Sequence, residues 1–85
     1  MNKAALEVLI SAGAIKQVRI IADGSSVYIE ITTQAGETSA VTTNKGGIKS
    51  WVTIDASAKW IKSLGIGNAQ IELSKWLPGQ RGMVL

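Results

Sequence analysis

The apolar residues of this chain change their spacing twice, and this feature constrains the fold more than any other. Within residues 5–13 they fall on one face of a helical wheel. Across residues 18–32 they alternate with other residues, which is the period of a half-buried strand. Helical spacing returns in residues 54–64. A chain with both periods is expected to place its helices against one face of a sheet.

Cap and turn residues divide these stretches into elements. Asn2 and Thr53 are suited to cap the starts of two helices, and Gly13 and Gly65 are suited to end them. Glycine-containing turns separate four consecutive strands, and one more strand follows the second helix. The predicted strands are residues 17–22, 27–32, 38–43, 48–52 and 69–73.

The predicted fold is an α+β two-layer sandwich in the order α-β-β-β-β-α-β. Its sheet is mostly antiparallel, and both helices lie on one face, which buries their apolar stripes together with that face. A chain of 85 residues makes one domain. We assign residues 1–75 to this domain and residues 76–85 to an irregular apolar tail.

The composition removes whole classes of chemistry. The chain has neither cysteine nor histidine, so thiolate or imidazole metal sites and Ser-His-Asp triads are excluded. The six acidic residues are scattered over different elements, without a base, a nucleophile and an orienting group at motif spacing. We therefore predict a protein that is not an enzyme and has no cofactor.

The apolar stretches are too short to cross a bilayer. Glu7 interrupts the first of them, so a signal peptide is not expected there either. The lack of cysteine fits a reducing compartment. We predict a cytoplasmic protein without a membrane partner.

The sheet face turned away from the helices is the first candidate site. The residues predicted to point outward are Arg19, Tyr28, Glu30, Thr32, Lys49 and Trp51. Aromatic and basic side chains on an open sheet are typical of a stacking platform for single-stranded nucleic acid. The alternative is a solvated face on which Tyr28 and Trp51 form a cross-strand pair.

Two lysines of the second helix form another candidate. Lys59 and Lys62 are predicted to face water, where they would suit contacts with phosphate. They are also ordinary late-helix lysines that suit the negative end of the helix dipole, and we favour this interpretation. The net charge of +3 permits an acidic partner without requiring one.

The apolar tail is the third candidate. Free chain ends are usually polar, whereas this one carries Trp76, Leu77, Met83, Val84 and Leu85. The tail either packs back on the domain or docks into a partner or a sister subunit. We predict a homodimer in which it covers the other subunit.

Two segments resemble a known family. Residues 9–15, LISAGAI, followed by two strands, resemble the LRDAGAL opening of the ParC-family partition-associated proteins of bacterial plasmids and integrative elements. Residues 51–66, WVTIDASAKWIKSLGI, resemble that family's second-helix motif, and residues 69–76 resemble the strand after it. Ile71-Glu72-Leu73 departs from the family's usual Val-Asp ending there, and the apolar tail is a second departure. The resemblance covers most of residues 6–76 and implies an accessory of a mobile element's maintenance or transfer module.

Three functional hypotheses follow. The first is a non-enzymatic accessory of plasmid partition or stability, which acts through contacts with a protein or with DNA. The second is a stand-alone nucleic-acid-binding module that uses the aromatic and basic sheet face. The third is a small inhibitor of a host protein, encoded by a phage or plasmid.

Overall fold

The fold is a four-stranded mixed sheet with two helices, seen in a computed structural model that describes residues 1–77. The elements are α1 (Lys3–Ser11), β1 (Ile15–Gly24), β2 (Ser26–Thr33), β3 (Thr38–Ala40), α2 (Ile54–Ser63) and β4 (Gln70–Trp76). Across the sheet the strands run in the order β3-β2-β1-β4. The β1–β2 and β2–β3 pairs are antiparallel, and β4 is parallel to β1. The predicted α+β class with a mostly antiparallel sheet is confirmed.

Both helices begin and end where their cap residues indicate. The Asn2 side chain accepts a hydrogen bond from the backbone N–H of Ala5 at 2.9 Å, which satisfies an amide that the first helical turn leaves free. The hydroxyl of Thr53 accepts in the same way from Ala56 at 3.0 Å. Gly13 follows α1 with a φ of 68°, a left-handed conformation that glycine adopts without a steric penalty.

One core joins both helices to one face of the sheet. The β1–β2 register sets Val18 opposite Ile31 and Ile20 opposite Ile29, so these side chains share a face. The buried residues of this core are Leu6, Val18, Ile20, Val27, Ile29, Ile31, Val41 and Ile61. Because Leu6 belongs to α1 and Ile61 to α2, the predicted two-layer arrangement is confirmed.

The segment predicted as a fourth consecutive strand is attached to the sheet at separate points. It makes two isolated bridges, Thr42 with Ile48 and Val27 with Trp51. β3 is also shorter than predicted and ends at Ala40. The next residue, Val41, is fully buried in the core. Its backbone N–H still donates to the carbonyl of Ile29 at 2.9 Å, so Val41 lies opposite a core residue and shares its face. Beyond the two bridges, the N–H of Lys49 donates to the carbonyl of Val41 at 3.0 Å.

β4 extends one residue into the predicted tail. It ends at Trp76, and the backbone N–H of Leu77 donates to the carbonyl of Gly24 at 2.8 Å. Met83, Val84 and Leu85 lie outside the described residues. Within residues 1–77 no helix is both long and apolar enough to cross a membrane.

Candidate functional site

The open sheet face is organised around one arginine. The registers of β1 with β2 and β4 bring Arg19 between Glu30 and Glu72. Its guanidinium lies 3.2 Å from a carboxylate oxygen of Glu30 and 3.6 Å from one of Glu72. The charge of Arg19 is therefore compensated on both sides, which weakens it as a contact for phosphate.

The surroundings of this arginine are acidic as a whole. The shallow depression at Arg19 and Tyr28 is also lined by Asp23, Glu30, Glu72 and Lys75. These side chains include two basic and three acidic groups, a formal sum of −1. A polyanion gains little from such a surface. Tyr28 and Arg19 do share the open face as predicted, but the charge pattern does not favour nucleic acid there.

Trp51 lies on the opposite side of the sheet from the one predicted. It forms an antiparallel bridge with Val27, whose side chain is in the core. Residues directly opposite each other in an antiparallel pair project to the same face. Trp51 is accordingly half-buried against the core on the helix side. The predicted four-residue platform of Arg19, Tyr28, Lys49 and Trp51 is wrong, and so is the Tyr28–Trp51 pair.

The helix side instead gathers a cluster that we call the lysine–tryptophan surface: Lys49, Trp51 and Trp60. The two indole rings lie 5.2 Å apart with an interplanar angle of 55°, a tilted geometry within the favourable range for aromatic pairs. The ammonium of Lys49 is 5.4 Å from the centre of the Trp51 ring, within reach of a cation–π interaction. Thr53, two residues after Trp51, caps the start of α2, and the helix brings Trp60 back to the Trp51 ring.

Positive charge is concentrated in the same part of the chain. Residues 38–69 contain four lysines and one acidic residue, a sum of +3 that equals the net charge of the whole protein. The acidic residue, Asp55, pairs with Lys59 at 3.1 Å. Lys45, Lys49 and Lys62 take no part in the ion pairs formed among residues 1–77. The lysine–tryptophan surface therefore lies in a basic segment, whereas the open face does not.

The other predicted contact residues are divided between these regions. Lys59 is occupied by Asp55, and both side chains are highly exposed. Lys62 lies in the last turn of α2 and lines a groove toward β4. Trp76 is the last residue of β4, the strand at the opposite edge of the sheet from β3, and the next residue, Leu77, is exposed. The structure thus does not bring these four residues together with Arg19 and Tyr28.

Sequence reasoning missed Trp60 as a functional candidate. The available signal was its position beside the apolar face that the spacing in residues 54–64 predicts. A large aromatic side chain at that margin is only partly covered by the core, so the rest of it can contact another group. It also missed the exposure of Ile71 and Leu73, which lie in β4 and are 50% and 47% exposed. Alternation in the sequence indicates which face these residues occupy, but it does not show whether a helix covers them.

Acidification provides a test of the arginine-centred pairing. The pKa of Glu72 is lowered from its ordinary value of 4.5, first by the hydrogen bond from the Ser74 hydroxyl and then by the charge of Arg19. A carboxylate with a lowered pKa in the fold contributes stability above its ordinary pKa. That contribution is lost as the pH falls from 4.5 through the lower folded value. We expect Glu72→Gln to lose less stability than the parent between neutral pH and pH values below that range.

Chemical denaturation of both proteins at a series of pH values measures this difference. Glu7→Gln, on the exposed surface of α1, is the matched control and should follow the parent curve. Parallel pH curves for Glu72→Gln and the parent would show that the carboxylate is not held by its neighbours.

Within residues 1–77 no cluster of three acidic residues is placed to bind a metal ion. Comparison of the chain with protein-family models, curated proteins and solved structures gives no match. A functional proposal for this protein rests on its own residues, and the lysine–tryptophan surface is the arrangement with the most specific chemistry.

Proposed function

We propose that this protein is a non-enzymatic accessory protein that binds nucleic acid through the lysine–tryptophan surface. The main observation in support is that Trp51 contacts both Lys49 and Trp60 within a basic segment of the chain. The sequence adds support, since it lacks the histidine and cysteine side chains that serve most often as catalytic bases, nucleophiles and transition-metal ligands.

The chemistry of this surface matches the phosphate and the base of a nucleotide. Lysine ammonium groups contact phosphate oxygens and release condensed counterions, which gives affinity without sequence preference. Indole rings stack on bases, and they do so for every base because each has a π-face. Trp51 and Trp60 are half-buried, so each is anchored in the fold while part of its surface faces solvent.

The resemblance of residues 9–15 and 51–66 to ParC-family proteins supports a cellular setting for this binding. We propose a role in the partition or stability of a plasmid or integrative element, in the cytoplasm. The second of these segments contains Trp51 and Trp60 themselves. Two of the three residues of the proposed binding surface therefore lie in a segment that carries the resemblance.

Lys49→Gln is expected to weaken binding to all oligonucleotides by a similar factor, because it removes a sequence-independent contact. With about three phosphate contacts, parent affinity for duplex DNA should fall roughly 40-fold between about 50 and 200 mM salt. The variant should lose about one unit of that salt slope. Tryptophan fluorescence titrations with single- and double-stranded oligonucleotides, in a Trp76→Phe background, measure both quantities at Trp51 and Trp60.

Lys16→Gln is the matched control, because it removes the same charge at an exposed residue outside the basic segment. Its affinity should stay close to that of the parent. The proposal fails if parent fluorescence responds to no oligonucleotide at low salt. It also fails if Lys16→Gln and Lys49→Gln weaken binding equally.

A further inference from the structure

The outer edge of β4 has the properties of an interface. β4 is the end strand of the sheet, and no strand among residues 1–77 pairs with its outer edge. Unpaired N–H and C=O groups along such an edge are a template for another strand. Its apolar side chains are also uncovered, since Ile71 is 50% exposed, Leu73 47% and Trp76 37%.

A bulge in β4 gives this edge an unusual charge pattern. Glu72 pairs with Ile21 and Lys75 pairs with Asp23, so β4 advances three residues while β1 advances two. Without the extra residue Glu72 and Lys75 would point to opposite faces. With it, both side chains lie on the open face, and both line the depression at Arg19. One positive and one negative group thus stand near each other on the same side of a free edge.

We propose that two copies of this protein pair their β4 edges antiparallel, with Glu72 of each copy opposite Lys75 of the other. This register has its twofold axis between Leu73 and Ser74. It joins the two sheets into one continuous sheet and forms two identical ion pairs on the open face. Opposite charges directly across an antiparallel pair stabilise it, whereas like charges destabilise it.

The same register matches apolar residues on the helix side. Ile71 pairs with Ile20 and Trp76 with Gly24 in β1, so both of these β4 residues face the helices. The twofold axis sets Ile71 of one copy opposite Trp76 of the other. Ile71 also lines a groove of about 240 Å³ between α2 and β4, whose other walls include Ala58 and Ile61. The indole of the second copy would enter at the mouth of this groove and cover apolar surface that α2 leaves open.

A second copy fits this edge because the edge is complementary to itself. The twofold axis sets Glu72 opposite Lys75 and Ile71 opposite Trp76. Both charges remain accessible for it: the Glu72 side chain is 45% exposed beside Arg19, and Lys75 joins none of the ion pairs among residues 1–77. This inference goes beyond the proposed nucleic-acid binding, which involves other residues.

Charge-reversal substitutions at Glu72 and Lys75, made in the full-length chain, test this register. The parent should sediment as a dimer at high micromolar concentration. Lys75→Glu places two glutamates across each pair, and Glu72→Lys places two lysines there. Each variant alone should weaken the dimer about tenfold or more. An equimolar mixture of the two variants restores both opposite-charge pairs in a heterodimer, so it should associate about as tightly as the parent.

Lys45→Glu makes the same charge change in an exposed turn away from β4 and should leave the dimer intact. Recovery of association on mixing shows that both variants are folded, because unfolded chains cannot form the paired edge. A parent that is monomeric at high micromolar concentration overturns the proposal. A dimer that both reversals leave unchanged, or that mixing does not restore, overturns it as well. Loss of oligonucleotide binding in the titrations with Lys49→Gln leaves this result unaffected.

Discussion

Replacing Ile61 by alanine is expected to lower the free energy of unfolding by about 2–4 kcal/mol. Ile61 is 4% exposed and is the buried apolar residue of α2, in the same core as Ile20 and Ile29. The substitution removes buried methyl and methylene groups, and the sheet beneath cannot move up to fill the cavity. Such a loss is a large fraction of the stability of a small domain.

Thermal or denaturant unfolding followed by circular dichroism measures this loss. Proteins must be compared at one concentration, because self-association would add to the apparent stability. Val52→Ala is the matched control: Val52 is 86% exposed, so its loss should change stability by less than about 0.5 kcal/mol. An Ile61→Ala protein that melts within a degree or two of the parent would contradict the docking of α2 through this residue.

Leu6→Ala is expected to destabilise the protein by a similar amount, about 2–5 kcal/mol. Leu6 is fully buried and is the one buried residue of α1. An isolated nine-residue helix is marginal in water, so α1 depends on this contact with the core. The variant should lose helical signal from α1 before the sheet unfolds.

Hydrogen exchange of the α1 amides, together with denaturant unfolding, separates local release of the helix from global unfolding. Val8→Ala is the matched control, since Val8 lies on the same helix and is 68% exposed. It should leave both measurements nearly unchanged. Equal effects of Leu6→Ala and Val8→Ala would mean that α1 is not anchored through Leu6.

The two sheet faces show how charge can redirect a functional interpretation. Arg19 is an attractive phosphate ligand when the sequence is considered residue by residue. In the fold, two carboxylates from different strands flank it. Among residues 1–77 no carboxylate forms an ion pair with Lys49, which lies over an indole ring instead. The surface with the better chemistry for a polyanion is thus on the helix side, where two tryptophans are already in contact.

The edge strand and the lysine–tryptophan surface lie in different parts of the fold. The first is formed by β4 at one end of the sheet, and the second by residues 49–60 near the start of β2. A dimer formed through β4 would therefore leave the lysine–tryptophan surface of each copy accessible to nucleic acid. The oligomeric state and the binding activity are separately measurable for this reason.

Local physics in the sequence determined the elements of this protein. Asn2 and Thr53 satisfy free amides of their own helices, and Gly13 adopts the left-handed conformation that follows the end of α1. The alternation in residues 18–31 set which strand residues enter the core. These features depend on residues a few positions apart, so the α+β class, both helices and the β1–β2 hairpin could be predicted from the sequence.

Only the tertiary structure decided which face Trp51 occupies and which edge of the sheet stays open. The facing of Trp51 depends on its bridge with Val27, a partner 24 positions earlier in the chain. The compensation of Arg19 depends on β4, which returns from the far end of the chain to lie parallel to β1. A shift of one residue in such long-range pairing turns a side chain to the other face. No local pattern in the sequence encodes that register, and the candidate site depends on it.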